Sequence, residues 1–270
     1  MEGAFTISFT FDFSAILPSS LQSQPMANVP TGCMVGSHGI AVMASAFLQC
    51  TPGVSGTLGD SIFNVSRAAV ESQASSNRYA SLGWVPSEDS KYATSITLAF
   101  AFDDGVAALL AAQVGQTEWH SKWRNRSQAY VHVWNNVTQF MCPRSCNGSF
   151  HCPASPFLPY PLESGYTEGD GAQWQWFVPH DLPGLLDKCW MGDVATYSLS
   201  LHSFMLNQLN WTFVTDGVSD YLPNAWYWAG NEPDILSAWE FNTAGPKYFS
   251  LIVFCFMWLH SMLLFVLLFV

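Results

Sequence analysis

Positive charge is what this sequence has least of. Across 270 residues there are 9 Lys and Arg against 20 Asp and Glu, a net charge of −11 at pH 7. A surface so short of cations cannot neutralise phosphates, which excludes nucleic acid as a partner. Charge of either sign is scarce, at 11% of residues. There is no Walker loop and no dinucleotide-type glycine fingerprint, so the common nucleotide-binding signatures are missing. The start, Met1-Glu-Gly-Ala-Phe5, places an acid where the basic n-region of a signal peptide belongs, and Asp12 interrupts the apolar run that follows. No signal peptide is read there.

What is plentiful is aromatic surface: 12 Trp and 20 Phe, in a chain long enough for one substantial domain. Seven cysteines are present, and Cys142, Cys146 and Cys152 cluster in a loop-like stretch where a disulfide can form in an oxidising compartment. A zinc site completed by His132 or His151 has a spacing that fits no common pattern. Cys33, Cys50 and Cys189 read as free buried thiols. Five sequons, at Asn64, Asn125, Asn136, Asn147 and Asn210, point to a secretory route. That route and the missing signal peptide agree if the chain begins inside a larger protein.

Hydrophobic periodicity makes the chain mainly helical. Residues 1–14 alternate Phe with small polar residues, as a strand or a short apolar helix would, and Pro18, Pro25 and Pro30 make 15–31 a loop. Ser37 is placed to cap a helix carrying Ile40, Met43 and Phe47. Further helices are expected over 61–72, over 91–114 with Leu98, Phe102, Leu109 and Leu110 near one face, and from Thr117 with Trp119, Trp123, Tyr130 and Trp134 in a core stripe. Asp103 and Asp104 in the middle of the 91–114 helix read as surface acids or helix contacts, or as partners for a sugar or metal. Later helices are expected at 196–209 and from Pro233 to about Asn242.

The chemistry concentrates in Tyr166-Thr-Glu-Gly-Asp-Gly-Ala-Gln-Trp-Gln-Trp-Phe-Val-Pro-His-Asp181. A carboxylate, Glu168, stands among small residues, two indoles follow at Trp174 and Trp176, and Asp181 opens a short helix with Pro183 in its first turn. Carboxylate, aromatic platform and adaptable backbone suit a sugar pocket, because sugars offer apolar ring faces for stacking and hydroxyls that need fixed acceptors. The same set also suits an ordinary loop-to-helix junction.

This stretch resembles the signature of glycoside hydrolase family 92, the calcium-dependent exo-α-mannosidases. Gly230-Asn-Glu-Pro-Asp234 with Phe241-Asn242 is similar to the family's next block, and Gly32-Cys-Met-Val-Gly-Ser-His38, Leu82-Gly-Trp-Val-Pro86 and Ala101-Phe-Asp-Asp104 follow its earlier segments in order. The likeness spans 15–245. It implies part of a catalytic domain built as an (α/α)6 toroid, incomplete here, with functional residues on the connections. It also implies an inverting mannosidase acting on mannose-terminated oligosaccharides, in the secretory pathway or outside the cell. Glu168 is then the general acid, with a pKa raised by burial beside Trp174 and Trp176. Asn231 and Glu232 are calcium ligands, Trp174, His180 and Asp181 line the substrate pocket, and Pro143-Arg144 belongs to a pocket loop. Leu236 replaces a histidine found in many relatives. The family's general base, an aspartate beyond the Gly-Asn-Glu-Pro block, has no counterpart, so little or no activity is expected of this chain alone.

The run from Phe249 to Val270 carries no charge, and a span of about 20 apolar residues crosses a bilayer. It reads either as a C-terminal membrane anchor or as translated non-coding sequence. The alternative to an enzyme is therefore a non-catalytic, membrane-anchored remnant that binds glycans or partners.

Overall fold

The computed structural model describes residues 25–26, 29–30, 35–49, 57–157, 165–207, 226–227 and 232–244. Within the stretch 15–31, expected as loop, the short strands β1 (Pro25–Met26) and β2 (Val29–Pro30) pair antiparallel. Expectations for 1–14, for Cys33, Cys50, Leu209, Asn210 and Asn231, for the side chain of Glu232 and for the run 249–270 lie outside these residues.

The fold is organised on one helix, α4 (Ala93–Gln113), which packs against α1 (Gly39–Gln49), α2 (Thr57–Ser75), α5 (Thr117–Arg126) and α6 (Tyr130–Val133). Small residues let these neighbours approach: Ala99, Ala101, Ala107, Ala108 and Ala111 are all buried. Leu98 and Leu110 fill the gaps, each contributing about 2 kcal/mol by burial. A helix covered on most sides has no single apolar face, so the expected one-sided stripe is corrected: Leu109 is 58% exposed while Asp103 and Asp104 are buried. Among the described residues α4 is the one helix long and apolar enough to cross a membrane, and its burial makes it a core helix.

Of the two structural readings of these acids, surface or helix contact, the second holds, for both are buried. Asp103 accepts from the Ser37 amide at 2.6 Å and from Gln73 Nε2 at 2.9 Å, and lies 3.2 Å from His38 Nδ1. Asp104 takes the Arg126 guanidinium on both oxygens, at 2.7 and 2.5 Å, and the Tyr79 hydroxyl at 3.1 Å. Arg126 continues to Glu71 at 3.1 Å. Adjacent residues of α4 thus tie together α2, α3 (Tyr79–Leu82), α5 and the loop before α1. Ser37 serves this network instead of capping: its hydroxyl accepts from Gln73 at 2.7 Å.

The helix expected from Thr117 ends at Arg126, passes through a 3-10 turn into α6, and gives way to strand β3 (Trp134–Asn135). β3 pairs antiparallel with β4 (Phe140–Met141) in the register Trp134↔Met141. The aromatic stripe is nonetheless core, because Trp123, Tyr130 and Trp134 are all buried. A disulfide joins Cys142 to Cys152, leaving Cys146 free and exposed, and Cys189 is a free buried thiol as expected.

Downstream lie α7 (Gly171–Trp174), α8 (Leu182–Gly184) and α9 (Val194–Asn207), the last burying Leu201, Phe204 and Met205. The single helix expected from Pro233 is corrected. The chain makes 3-10 turns at Glu232–Asp234 and Ser237–Trp239 and then α10 (Phe241–Ala244). Hydrogen bonds reaching back three residues, as from Trp239 to Leu236 and from Glu240 to Ser237, turn Asp234, Ser237, Ala238, Glu240 and Phe241 inward.

Candidate active site

The stretch around Glu168 is fastened to α4. The first-turn amides of Thr94 and Ser95 both donate to the Gly165 carbonyl, at 3.0 and 3.2 Å, satisfying donors that a helix start leaves open. The Thr167 amide donates to Ser95 Oγ at 2.8 Å, and Trp174 Nε1 donates to the Thr167 carbonyl at 2.8 Å. Tyr166 reaches across to the Met141 carbonyl. On the far side Asp170 caps α7, its Oδ1 accepting from Ala172 and Gln173 at 2.9 and 3.0 Å. Between these two fixed points stands Glu168 with φ +46°, in the left-handed region. A non-glycine residue there costs about 1 kcal/mol and persists because its surroundings hold it.

The expected burial of Glu168 beside the indoles is corrected: Glu168 is exposed, while Trp174 and Trp176 are each 1% exposed. Both rings belong to the aromatic core with Phe177, Trp190, Tyr197 and Phe204, and Trp176 stacks on Trp190 with centroids 5.9 Å apart. They offer no open stacking face. Trp174 acts on the site through the Thr167 carbonyl.

His180 and Asp181 stand where the stretch crosses α4 and α6. His180 Nε2 lies 2.9 Å from the Ser127 carbonyl, so this nitrogen carries the proton, and Nδ1 is buried with no hydrogen bond. Burial pulls the imidazole pKa down to about 4, so the ring is neutral at physiological pH. Its ring packs on Gly105 of α4, where an added Cβ would lie 2.8 Å from His180 Cδ2. Asp181 caps α8 through the Gly184 amide at 3.3 Å, as expected, and accepts from Gln128 and Tyr130 at 2.8 Å each. Burial raises its pKa, but those hydrogen bonds and the Arg124 and Lys188 charges outweigh it and hold the carboxyl below its ordinary value.

The blocks separated in sequence meet here. Pro143 packs directly on Gly165, where a Cβ would lie 2.3 Å from Pro143 Cγ, and Gly165 has φ +109°; only glycine fits both. The neighbouring Arg144 guanidinium lies over Trp84 at 4.3 Å and Phe150 at 4.9 Å. The loop carrying Pro143-Arg144, the Leu82–Pro86 segment and the Glu168 turn therefore share one region. On the other side α7 packs on the Glu232–Asp234 turn. Beside that turn Glu240 is buried and hydrogen-bonded to Tyr197; burial raises its pKa well above the usual carboxylate value, and the nearby Asp234 charge pushes the same way. Among the described residues no three His, Cys, Asp or Glu side chains come together as a metal site.

The partners of Asp103, the Ser95 anchor, the Asp170 cap and the Glu240–Tyr197 pair were not singled out from sequence. Only Asp170 had a local signal, an acid just before a short apolar run. A cavity of about 400 Å3 lies between Phe140, Phe157, Trp190, α9 and Trp226; Glu168 does not line it.

No curated protein matches the chain. Among solved structures, a family 92 α-mannosidase of Bacteroides thetaiotaomicron in complex with mannoimidazole is similar at 22% identity and TM-score 0.67, over 83% of this chain and 30% of that one. An inverting mannosidase of the same family and organism is similar at 19% identity and TM-score 0.65, over 83% of this chain and 32% of that one. The chain thus spans about a third of the length of these enzymes and shares their fold over that part. The catalytic-domain model of glycosyl hydrolase family 92 matches residues 17–252, so the chain belongs to that family.

Proposed function

We propose that this chain carries the acid half of an inverting, calcium-dependent exo-α-mannosidase site acting on mannose-terminated oligosaccharides. The observation that carries the reading is Glu168, exposed and held at φ +46° between anchored neighbours. Its carboxyl proton passes to the glycosidic oxygen as the bond to the leaving group breaks. In an inverting site a second carboxylate, roughly 6.5–9.5 Å away, activates water on the opposite face. This sequence supplies no counterpart of that base.

Calcium takes six to eight oxygen ligands, and Asn231 and Glu232 are the residues proposed to hold it. The local electrostatics fit a cation through Asp234, a buried acid beside that turn whose charge pushes the Glu240 pKa up. When bound, the ion supplies positive charge for the sugar hydroxyls. Trp174 keeps the Glu168 turn in place, and His180 and Asp181 fix its far end on α4 and α8. The helical hairpins α1–α2 and α4–α5 form part of an (α/α)6 toroid in this reading, and the intact protein works in the secretory pathway or outside the cell.

Titration calorimetry with a mannose-terminated oligosaccharide tests the binding half. Calcium-dependent binding, weakened in Glu232→Gln, is expected, with little or no mannose released. Absence of binding with and without calcium would overturn it. The second reading is a non-catalytic protein that binds glycans or partners. The two separate in a chimaera that replaces the run from Phe249 with the base-bearing segment of a family mannosidase. The acid role requires mannose release that falls roughly 10²–10⁴-fold in Glu168→Gln; release indifferent to that change rejects it.

A further inference from the structure

We infer that Asn136 and Asn147 are N-glycosylation sites, both set beside the Cys142–Cys152 disulfide. Asn136-Val-Thr138 occupies the turn between β3 and β4, and all three residues are exposed, Val137 by 91%. Asn147 and Ser149 of the second sequon are exposed, and Asn147 Oδ1 accepts the Ser149 amide at 2.9 Å. That turn brings the asparagine side chain alongside its hydroxyl residue, with Nδ2 left to react.

The second, independent observation is the disulfide. It encloses Asn147, and the Thr138 hydroxyl lies 3.5 Å from Cys142 Sγ and 3.6 Å from Cys152 Sγ. Disulfides persist in oxidising compartments, which in the secretory route are also where sequons meet their glycosyl donor. The other two sequons in the described residues are poorer acceptors. Asn64 and Asn125 lie on α2 and α5, and their hydroxyl partners Ser66 and Ser127 are fully buried.

The donor is a lipid-pyrophosphate-linked oligosaccharide. The Asn Nδ2 forms a bond to the anomeric carbon, the bond from that carbon to the pyrophosphate oxygen breaks, lipid pyrophosphate leaves, and one amide proton is lost to base.

The test is peptide mapping of the full chain secreted from a eukaryotic host behind an added leader. Glycan removal by an amidase in 18O-water converts each occupied asparagine to 18O-labelled aspartate, which spontaneous deamidation at Asn147-Gly148 in ordinary water does not produce. Label at both Asn136 and Asn147, at higher occupancy than at Asn64 or Asn125, is expected. Unlabelled asparagine at either of the first two positions, or higher occupancy on the helices, overturns the assignment. Asn136→Gln and Asn147→Gln are each expected to remove one mobility step on a gel; because the mapping uses the unsubstituted chain, a folding defect in either variant leaves the result decisive.

Discussion

Two residues carry most of the information about the site, for opposite reasons. Glu168 stands exposed in a backbone conformation that suits glycine. Glu168→Gly is therefore expected to be more stable than Glu168→Ala by about 1 kcal/mol in denaturant titrations, both variants lacking the proposed proton donor. Equal stability of the two would mean that the turn carries no backbone strain. His180 is held neutral by burial, with a folded pKa of about 4 against an ordinary value of 6.5. The unfolded chain then binds more protons than the folded one between those values. Stability from this group is complete above pH 6.5 and is lost as the pH falls toward 4, by about 3 kcal/mol. Thermal melts across that window should show the loss, and His180→Gln should flatten it. The motif is what drew attention to both positions in sequence. Glu168's exposure was not, because nearby tryptophans in a sequence say nothing about which side of the backbone they take.

At the level of elements, α4 was readable almost to its ends, and its surroundings were not. Apolar periodicity locates a helix, but burial on all sides is set by how many neighbours pack on it, which explains why Leu109 faces out and Asp103 and Asp104 face in. Sequence left surface and helix contact both open for these acids because their partners, Gln73, Arg126 and the Ser37 amide, are distant along the chain. The segment after Pro233 misled in the other direction, since helix formers stand there but inward-facing Asp234 and Glu240 favour successive 3-10 turns. Gly105 is where α4 meets the site, and Gly105→Ala pushes a methyl into the His180 ring. A loss of roughly 1–3 kcal/mol is expected by chemical denaturation. The Cys142–Cys152 bridge closes a loop of sequence separation 10. Cys142→Ser with Cys152→Ser is expected to cost about 2–3 kcal/mol in the same assay under oxidising conditions, and nothing when the unsubstituted chain is reduced for comparison.

For the molecule as a whole, the family and its fold were legible from ordered motif blocks, whereas the residues that bind those blocks together were not. Ile235, Leu236 and Trp239 are 50%, 43% and 46% exposed, close together on the turns after Pro233. Exposed apolar neighbours of this kind favour self-association. Sedimentation at rising concentration should show it, and Leu236→Lys with Trp239→Lys should reduce it. The carbonyl of Gly165 closes the first turn of α4, and Ser95 on that turn holds Thr167. The Glu168 turn and its scaffold are consequently one cooperative unit: amide protons at Thr94, Ser95 and Thr167 should exchange with solvent in a single opening event, and warming should undo the turn's alignment only when the central helix itself comes undone.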